Sequence, residues 1–271
     1  MKNTIGFIGG GQMGEALIRG IIASGLYLPK NIFVAEPNDF RREHLKKIYA
    51  INVFNNNSVI FENCTVVILA VKPQTMKSLL EDCRERITPN HILISIAAGL
   101  PIAFYLDVIG KEETKIIRVM PNTPALVLEG ASALSKNDNV NDDELAVAEE
   151  IFKAVGEVVI LDEVHLDAVT GLSGSGPAYV FSFIEALIDA GVKSGLTRVV
   201  SEKLALQTVA GSVKLLKESG EHPAALRGKV TSPGGTAITA IHVLEKVGFH
   251  GIIMDTVESA VNRSRQLGKV Q

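Results

Sequence analysis

Residues 5–17, IGFIGGGQMGEAL, decide how the whole chain is read. An apolar run breaks into Gly9, Gly11 and Gly14, spaced G-x-G-x-x-G, and a helical pattern follows at once. Strand, glycine turn and helix in that order are what a dinucleotide-binding βαβ unit requires. Each glycine has its own task. Gly9 makes the tight turn, Gly11 lets a pyrophosphate approach the backbone, and Gly14 lets helix and strand pack closely. The helix N-terminus adds unpaired N–H groups that attract an anion. Gly10, Gln12 and Met13 complete the candidate cofactor cradle.

Outward from this stretch, short β-branched runs alternate with helical patterns as far as Leu161: TIGFIG, NIFVAE, TVVILAV, HILISIA, KIIRV and EVVIL. Continuous apolar runs predict strands buried on both faces, as in a parallel sheet covered by helices. The segment QMGEALIRGIIASG places Met13, Leu17, Ile21 and Ser24 on one helical face and stops at Gly25. Beyond Leu161 the strand signals cease and the punctuation is helical. Pro177 opens one helix and Gly195 closes it, Thr197 caps the next and Gly220 ends that one. The expected architecture is α/β, with a Rossmann-type domain over 1–162 followed by an all-helical domain over 163–271. Helix PAYVFSFIEALIDAGVKSG is apolar nearly all round (Val180, Phe181, Phe183, Ile184, Leu187, Ile188, Val192), so a second subunit is expected to cover it.

Composition fits a globular protein: of 271 residues, 46% are apolar and 21% charged, with a net charge of -3 and no tryptophan. The absence of any basic run argues against nucleic acid or an anionic membrane as partner. The stretch MKNTIGFIGGGQMG has one lysine and an apolar run soon broken by glycines, and is expected to be neither a leader nor a span. Cys64 and Cys83 lack C-x-x-C spacing and clustered histidines, so reduced, buried thiols are expected and no metal.

The remaining motifs fall at strand ends or in one late loop. Glu36, followed by Pro37, lies at the end of the second strand, where a carboxylate takes the adenosine ribose hydroxyls of NAD. Arg41 and Arg42 follow and suit the extra phosphate of NADP, or simply form a solvated pair on a helix capped by Asn38; cofactor choice stays open. Ligands in an open α/β sheet lie beyond the carboxyl ends of the strands. Ala70, Val71, Lys72 and Pro73, then Ala97 and Ala98, then Met120, Pro121 and Asn122 therefore face the cofactor cleft. Late in the chain, TSPGGTAIT at 231–239 interrupts two helical patterns. It is either a turn with capping hydroxyls or a glycine nest whose amides grip an anion. The turn GLSGSGPAY, at 171–179, is either a close-packed corner or part of a site wall.

Taken together, GFIGGGQMGEAL, LAVKPQ, RVMPNTP, GLSGSGPAY and VTSPGGTAITAIHVLE resemble the pyrroline-5-carboxylate reductase family over essentially the whole length. The resemblance implies reduction of L-1-pyrroline-5-carboxylate to L-proline, the last step of proline biosynthesis, by NADPH or NADH; the cytoplasm is the expected compartment from the N-terminal stretch read as neither leader nor span. It also implies interleaved C-terminal helices that form a dimer, sometimes built into larger rings. Asn57 is implied near the adenosine, and Ser232, Pro233, Gly234, Gly235 and Thr236 at the substrate carboxylate, with Met120 beside both ligands. One position departs from the family pattern: Ala237 stands where a threonine is thought to hydrogen-bond the ring nitrogen. Thr236, Thr239, the backbone or water then remain as candidates for that role.

Two rival readings use the same layout. A β-hydroxyacid dehydrogenase needs a general base, commonly a lysine after a G-S-G turn, and Val180 stands there; His165 is the substitute on offer, though a lone histidine at a helix start is more often structural. A nucleotide-binding protein without catalysis would keep the glycine loop alone.

Overall fold

The computed structural model describes residues 4–269. Lys2, the one charge ahead of the first apolar run, lies outside the described residues. Contacts divide the chain into two compact units, one running through Ser175 and resuming at Ser259, the other spanning Gly176–Glu258.

The first unit is an eight-stranded sheet ordered β3-β2-β1-β4-β5-β6-β7-β8. Its strands are β1 (Ile5–Ile8), β2 (Ile32–Ala35), β3 (Asn52–Phe54), β4 (Val66–Leu69), β5 (Ile92–Ser95), β6 (Lys115–Met120), β7 (Gly130–Lys136) and β8 (Gly156–Ile160). The helices between them are α1 (Gln12–Ala23), α2 (Asp39–Tyr49), α3 (Ser58–Asn63), α4 (Pro73–Cys83), α5 (Ile102–Ile109) and α6 (Asp142–Lys153). Alternation along the central strands sorts two cores. Ile5, Phe7, Val66, Ile68, Ile92 and Ile94 face one side with Leu17, Leu45 and Phe152. Ile8, Val67, Leu69 and Leu93 face the other with Ile60, Leu80 and Tyr105. Both faces being covered explains the unbroken apolar runs.

Three features correct the sequence reading. β3 and β7 carry no strong strand signal, because one has three residues and the other, GASALSK, is built mostly from small residues. The sheet is not wholly parallel, since β7 runs antiparallel to β6. β8 is not buried on both faces: Val159 and Ile160 are exposed.

After β8 the described residues are helical. Short α7 (Leu166–Val169) runs into a π-helical turn, Thr170–Gly174, in which Ser175 N donates to Thr170 O at 2.8 Å. The second unit holds α8 (Gly176–Lys193), α9 (Arg198–Ser219), α10 (Pro223–Lys229), α11 (Thr236–Lys246) and the start of α12 (Phe249–Lys269). Thr197 caps α9 through Val200 N and Gly220 closes it at φ 64, as the punctuation predicts. α8 buries none of its residues in the single chain, and Phe181 is 64% exposed. Among the described residues no single helix is long and apolar enough to cross a membrane.

β7 and β8 meet at Gly130 and Gly156, which are register partners. Gly156 has φ +148, and a Cβ there would lie 2.6 Å from Gly130 C. Gly156→Ala is therefore expected to cost about 1–3 kcal/mol, read as a lower urea midpoint with the slope unchanged.

Candidate cofactor and substrate site

The crevice opens between β1 and β4, where the sheet order turns from β2 on one side of β1 to β4 on the other. This is the switch point at which α/β sheets bind ligands. Gly9 leaves β1 at φ +100, its N–H donating to Ala35 O at 2.8 Å, while Ala70 N donates to Ile8 O at 2.8 Å. A Cβ on Gly9 would stand 2.7 Å from Ala70 O and 3.2 Å from Val71 Cγ1. A Cβ on Gly14 would stand 2.8 Å from Gly9 O, so α1 seats directly on the turn. Around Gly11 the space is open, with nothing within 4 Å of a Cβ, and no side chain caps α1. The backbone from Gly11 through Gln12 and Met13 thus presents the uncapped start of α1 to open space, which fits a pyrophosphate.

Beside Gly11 lies a hollow of about 510 Å³ lined by Glu36, Asn38, Phe40, Arg41 and His44. Glu36 sits one residue past β2 with both carboxylate oxygens engaged: Gly10 N donates at 2.8 Å and Asn38 N at 3.0 Å. Asn38 caps α2 by accepting from Arg41 N at 3.0 Å. Arg42 folds onto Glu36 O and Pro37 O at 2.7 and 2.8 Å and pairs with Asp39. Arg41 lies across the glycine loop, donating from Nε to Gly10 O at 2.5 Å and from its terminal nitrogen to Gly11 O at 3.3 Å and to Glu15. Glu15 also accepts from His44 at 3.0 Å and from the Tyr49 hydroxyl at 2.9 Å. Burial alone would raise the Glu15 carboxyl, but the hydrogen bonds from His44, Tyr49 and Arg41 outweigh it and hold the group below its ordinary value. The sequence reading does not single out Glu15, Phe40 or His44. Helical spacing of 40, 41 and 44 after Glu36 is the signal that marks them as one face.

Farther along the same sheet edge, Ala70 and Val71 are half-buried, and Lys72 with Pro73 opens α4 without a side-chain cap. Ala97 is buried, its N–H donating to Ser95 Oγ at 3.3 Å, while Ala98 is exposed. Ser95 meets the Tyr105 hydroxyl at 2.5 Å, and burial pushes that phenol up to about 12, keeping it neutral and structural. Met120 ends β6 half-buried, and its Cε closes on Gly174 in the π-helical turn. Pro121 is buried behind it. Asn122 ties this corner together, donating to Ser173 O at 3.1 Å and accepting from Ala131 N at 2.8 Å. Within GLSGSG, Ser173 and Gly174 thus pack against Asn122 and Met120, while Leu172 is exposed. Asn57 stands just ahead of α3, and its side chain makes no cap hydrogen bond.

In the second unit, residues 232–236 form a turn between α10 and α11. Gly235 N donates to Ser232 O at 3.0 Å, with Pro233 second and Gly234 third at φ +66, the arrangement of a type II turn. No side chain caps α11, although Ser232 Oγ lies close over Gly235. Thr236 and Ala237 are the first residues of the helix, and Thr239 donates its hydroxyl to Gly235 O at 3.0 Å.

The two tight glycines and the open one behave differently on substitution. Gly14→Ala is expected to cost about 1–3 kcal/mol through its clash with Gly9 O, seen as a lowered melting temperature. Gly11→Ala should change stability by less than about 0.5 kcal/mol, while calorimetry finds NAD(P)H binding weakened.

Comparison with known proteins bears on both units. Residues 4–99 match the domain family described as NADP oxidoreductase coenzyme F420-dependent, and residues 163–267 that described as pyrroline-5-carboxylate reductase dimerisation. A pyrroline-5-carboxylate reductase from Synechocystis sp. is 46% identical over 99% of this chain and 100% of its own length. The solved pyrroline-5-carboxylate reductase of Coxiella burnetii superposes with a TM-score of 0.93 at 36% identity, covering 98% of this chain and 99% of that one. The Plasmodium falciparum enzyme, solved with NADP bound, gives 0.88 at 38% identity over 99% of each chain. Likeness of this extent over the full length, together with a glycine crevice shaped for a dinucleotide, shows that the chain belongs to the pyrroline-5-carboxylate reductase family, NAD(P)H-dependent oxidoreductases that reduce pyrroline-5-carboxylate to proline.

Proposed function

We propose that the chain holds NAD(P)H along the carboxyl edge of its sheet and grips the carboxylate of pyrroline-5-carboxylate with residues 232–236. In this reading residues 1–162 serve the dinucleotide and 163–271 serve dimerisation and substrate. Gly9 to Gly14 would cradle the pyrophosphate, with Glu36, Pro37 and Asn57 toward the adenosine. Ala70 to Pro73, Ala97, Ala98, Met120 and Pro121 would wall the remainder. The bound cofactor supplies the hydride that the C=N carbon accepts, and a proton on the ring nitrogen completes the amine of proline.

The observation that supports the substrate loop is the bare N-terminus of α11. α11 follows Gly235 with no side-chain cap, directly behind the turn in which Gly234 stands at φ +66, as α1 follows Gly11. Its first amides and the hydroxyls of Ser232 and Thr236 are suited to an anion. The protein's part in the chemistry is orientation, because a protonated imine is already electrophilic and the reductant comes with the cofactor. Thr236 is the hydroxyl closest in sequence to the position Ala237 occupies, and Thr239 already donates within its own helix.

The basic unit in this reading is a homodimer working in the cytoplasm. A helix with none of its residues buried and with Val180, Phe181 and Phe183 exposed needs a partner surface. Light scattering on a sizing column should give at least twice the 29.0 kDa chain mass, and a monomer would contradict the assignment.

Kinetics followed by loss of NAD(P)H absorbance test the loop. Thr236→Ala should raise KM for pyrroline-5-carboxylate about tenfold or more, with a smaller fall in kcat, as expected for one lost charge-assisted hydrogen bond. Unchanged kinetics would remove Thr236 from the site.

A further inference from the structure

The contacts of Glu15 carry a role for it in cofactor discrimination, resting on the reading that the glycine loop holds the dinucleotide. NADPH differs from NADH only by a phosphate on the adenosine ribose, so discrimination depends on charge beside that ribose. The hollow next to Gly11 is where such a phosphate would lie, and its nearest cation is Arg41. That guanidinium is occupied. Its Nε donates to Gly10 O and its terminal nitrogen to Gly11 O and to the Glu15 carboxylate. His44, the other basic group on the hollow, is turned onto the same carboxylate at 3.0 Å. Arg42, the next candidate, is spent on Glu36 O, Pro37 O and Asp39. Glu15 and Asp39 thus pair the two guanidinium groups one to one, while the Glu36 carboxylate, held by Gly10 N and Asn38 N, adds a third negative charge at the hollow.

We infer that Glu15 is a specificity-determining residue that holds Arg41 and His44 back from the ribose phosphate and so lowers the preference for NADPH over NADH. It is a positioning residue, acting through Arg41 and touching neither hydride donor nor acceptor. Glu15→Gln keeps the size of the side chain and an acceptor for Tyr49 but removes the charge that restrains the guanidinium. A freed guanidinium meets a phosphate with two parallel hydrogen bonds.

Dissociation constants for NADH and NADPH, measured by calorimetry on the full chain without substrate, test this. Glu15→Gln should improve NADPH binding relative to NADH about tenfold, the contribution of one charge-assisted hydrogen bond. Adding Arg41→Met to that variant should abolish the gain. In the otherwise unchanged chain, Arg41→Met should move the ratio by less than about fivefold, since its charge is already paired. An unmoved or lowered ratio in Glu15→Gln overturns the inference, and so does a loss of NADPH preference beyond tenfold in Arg41→Met alone, which remains readable if Glu15→Gln fails to fold. Gly11→Val separates the two layers. If it leaves binding of both cofactors intact, the glycine-loop reading fails, whereas weakened binding with an unmoved ratio in Glu15→Gln removes only the role of Glu15.

Discussion

The first unit depends on one close approach of backbone to backbone. At the end of β1 the chain turns at positive φ while the carbonyl of Ala70 stands where a Cβ on Gly9 would go, and Gly9 O in turn stands where a Cβ on Gly14 would go. Any side chain at either place would push α1 off the sheet edge or part β1 from β4. Because both glycines are bare, the helix N-terminus points at the switch point of the sheet, and the loops after β4, β5 and β6 begin along the same edge. The cofactor crevice follows from that contact as geometry and needs no further device.

Helix ends are treated unequally in this chain, and the inequality is informative. A missing N-terminal cap costs about 1 kcal/mol. α6 has a complete capping box between Asn141 and Glu144, and α2 and α9 have single side-chain caps. α1 and α11 each begin behind a glycine with no side-chain cap. An anionic ligand at such an end supplies the missing acceptors and meets the positive end of the helix dipole. α3, α4 and α5 also lack a side-chain cap from their N-cap residues, so a bare end by itself marks no site; what α1 and α11 share is the glycine ahead of it.

The helical unit shows a different incompleteness. Ser201 packs so tightly against Gly191 that a Cβ on that glycine would lie 2.9 Å from Ser201 Cβ, yet none of α8 is buried. Tight hairpin packing with wide apolar exposure is what a surface awaiting a second copy looks like, in keeping with the dimerisation family matched over 163–267.

Sequence by itself determined the features that depend on local chemistry. Glycine spacing behind a strand marked the crevice, unbroken β-branched runs marked the central strands, and Gly25, Thr197 and Gly220 marked helix ends, because turn geometry, two-sided burial and capping are fixed within a few neighbouring residues. Only the tertiary structure decided β7, whose small residues become a strand by pairing antiparallel to β6. It also decided the state of Glu36 and the Glu15 cluster. Glu15 meets Arg41 across 26 positions and Tyr49 across 34, because β2 pairs beside β1 and so brings α2 against α1. No local pattern encodes that meeting; it arises from the order in which strands add to the sheet, a property of long-range packing.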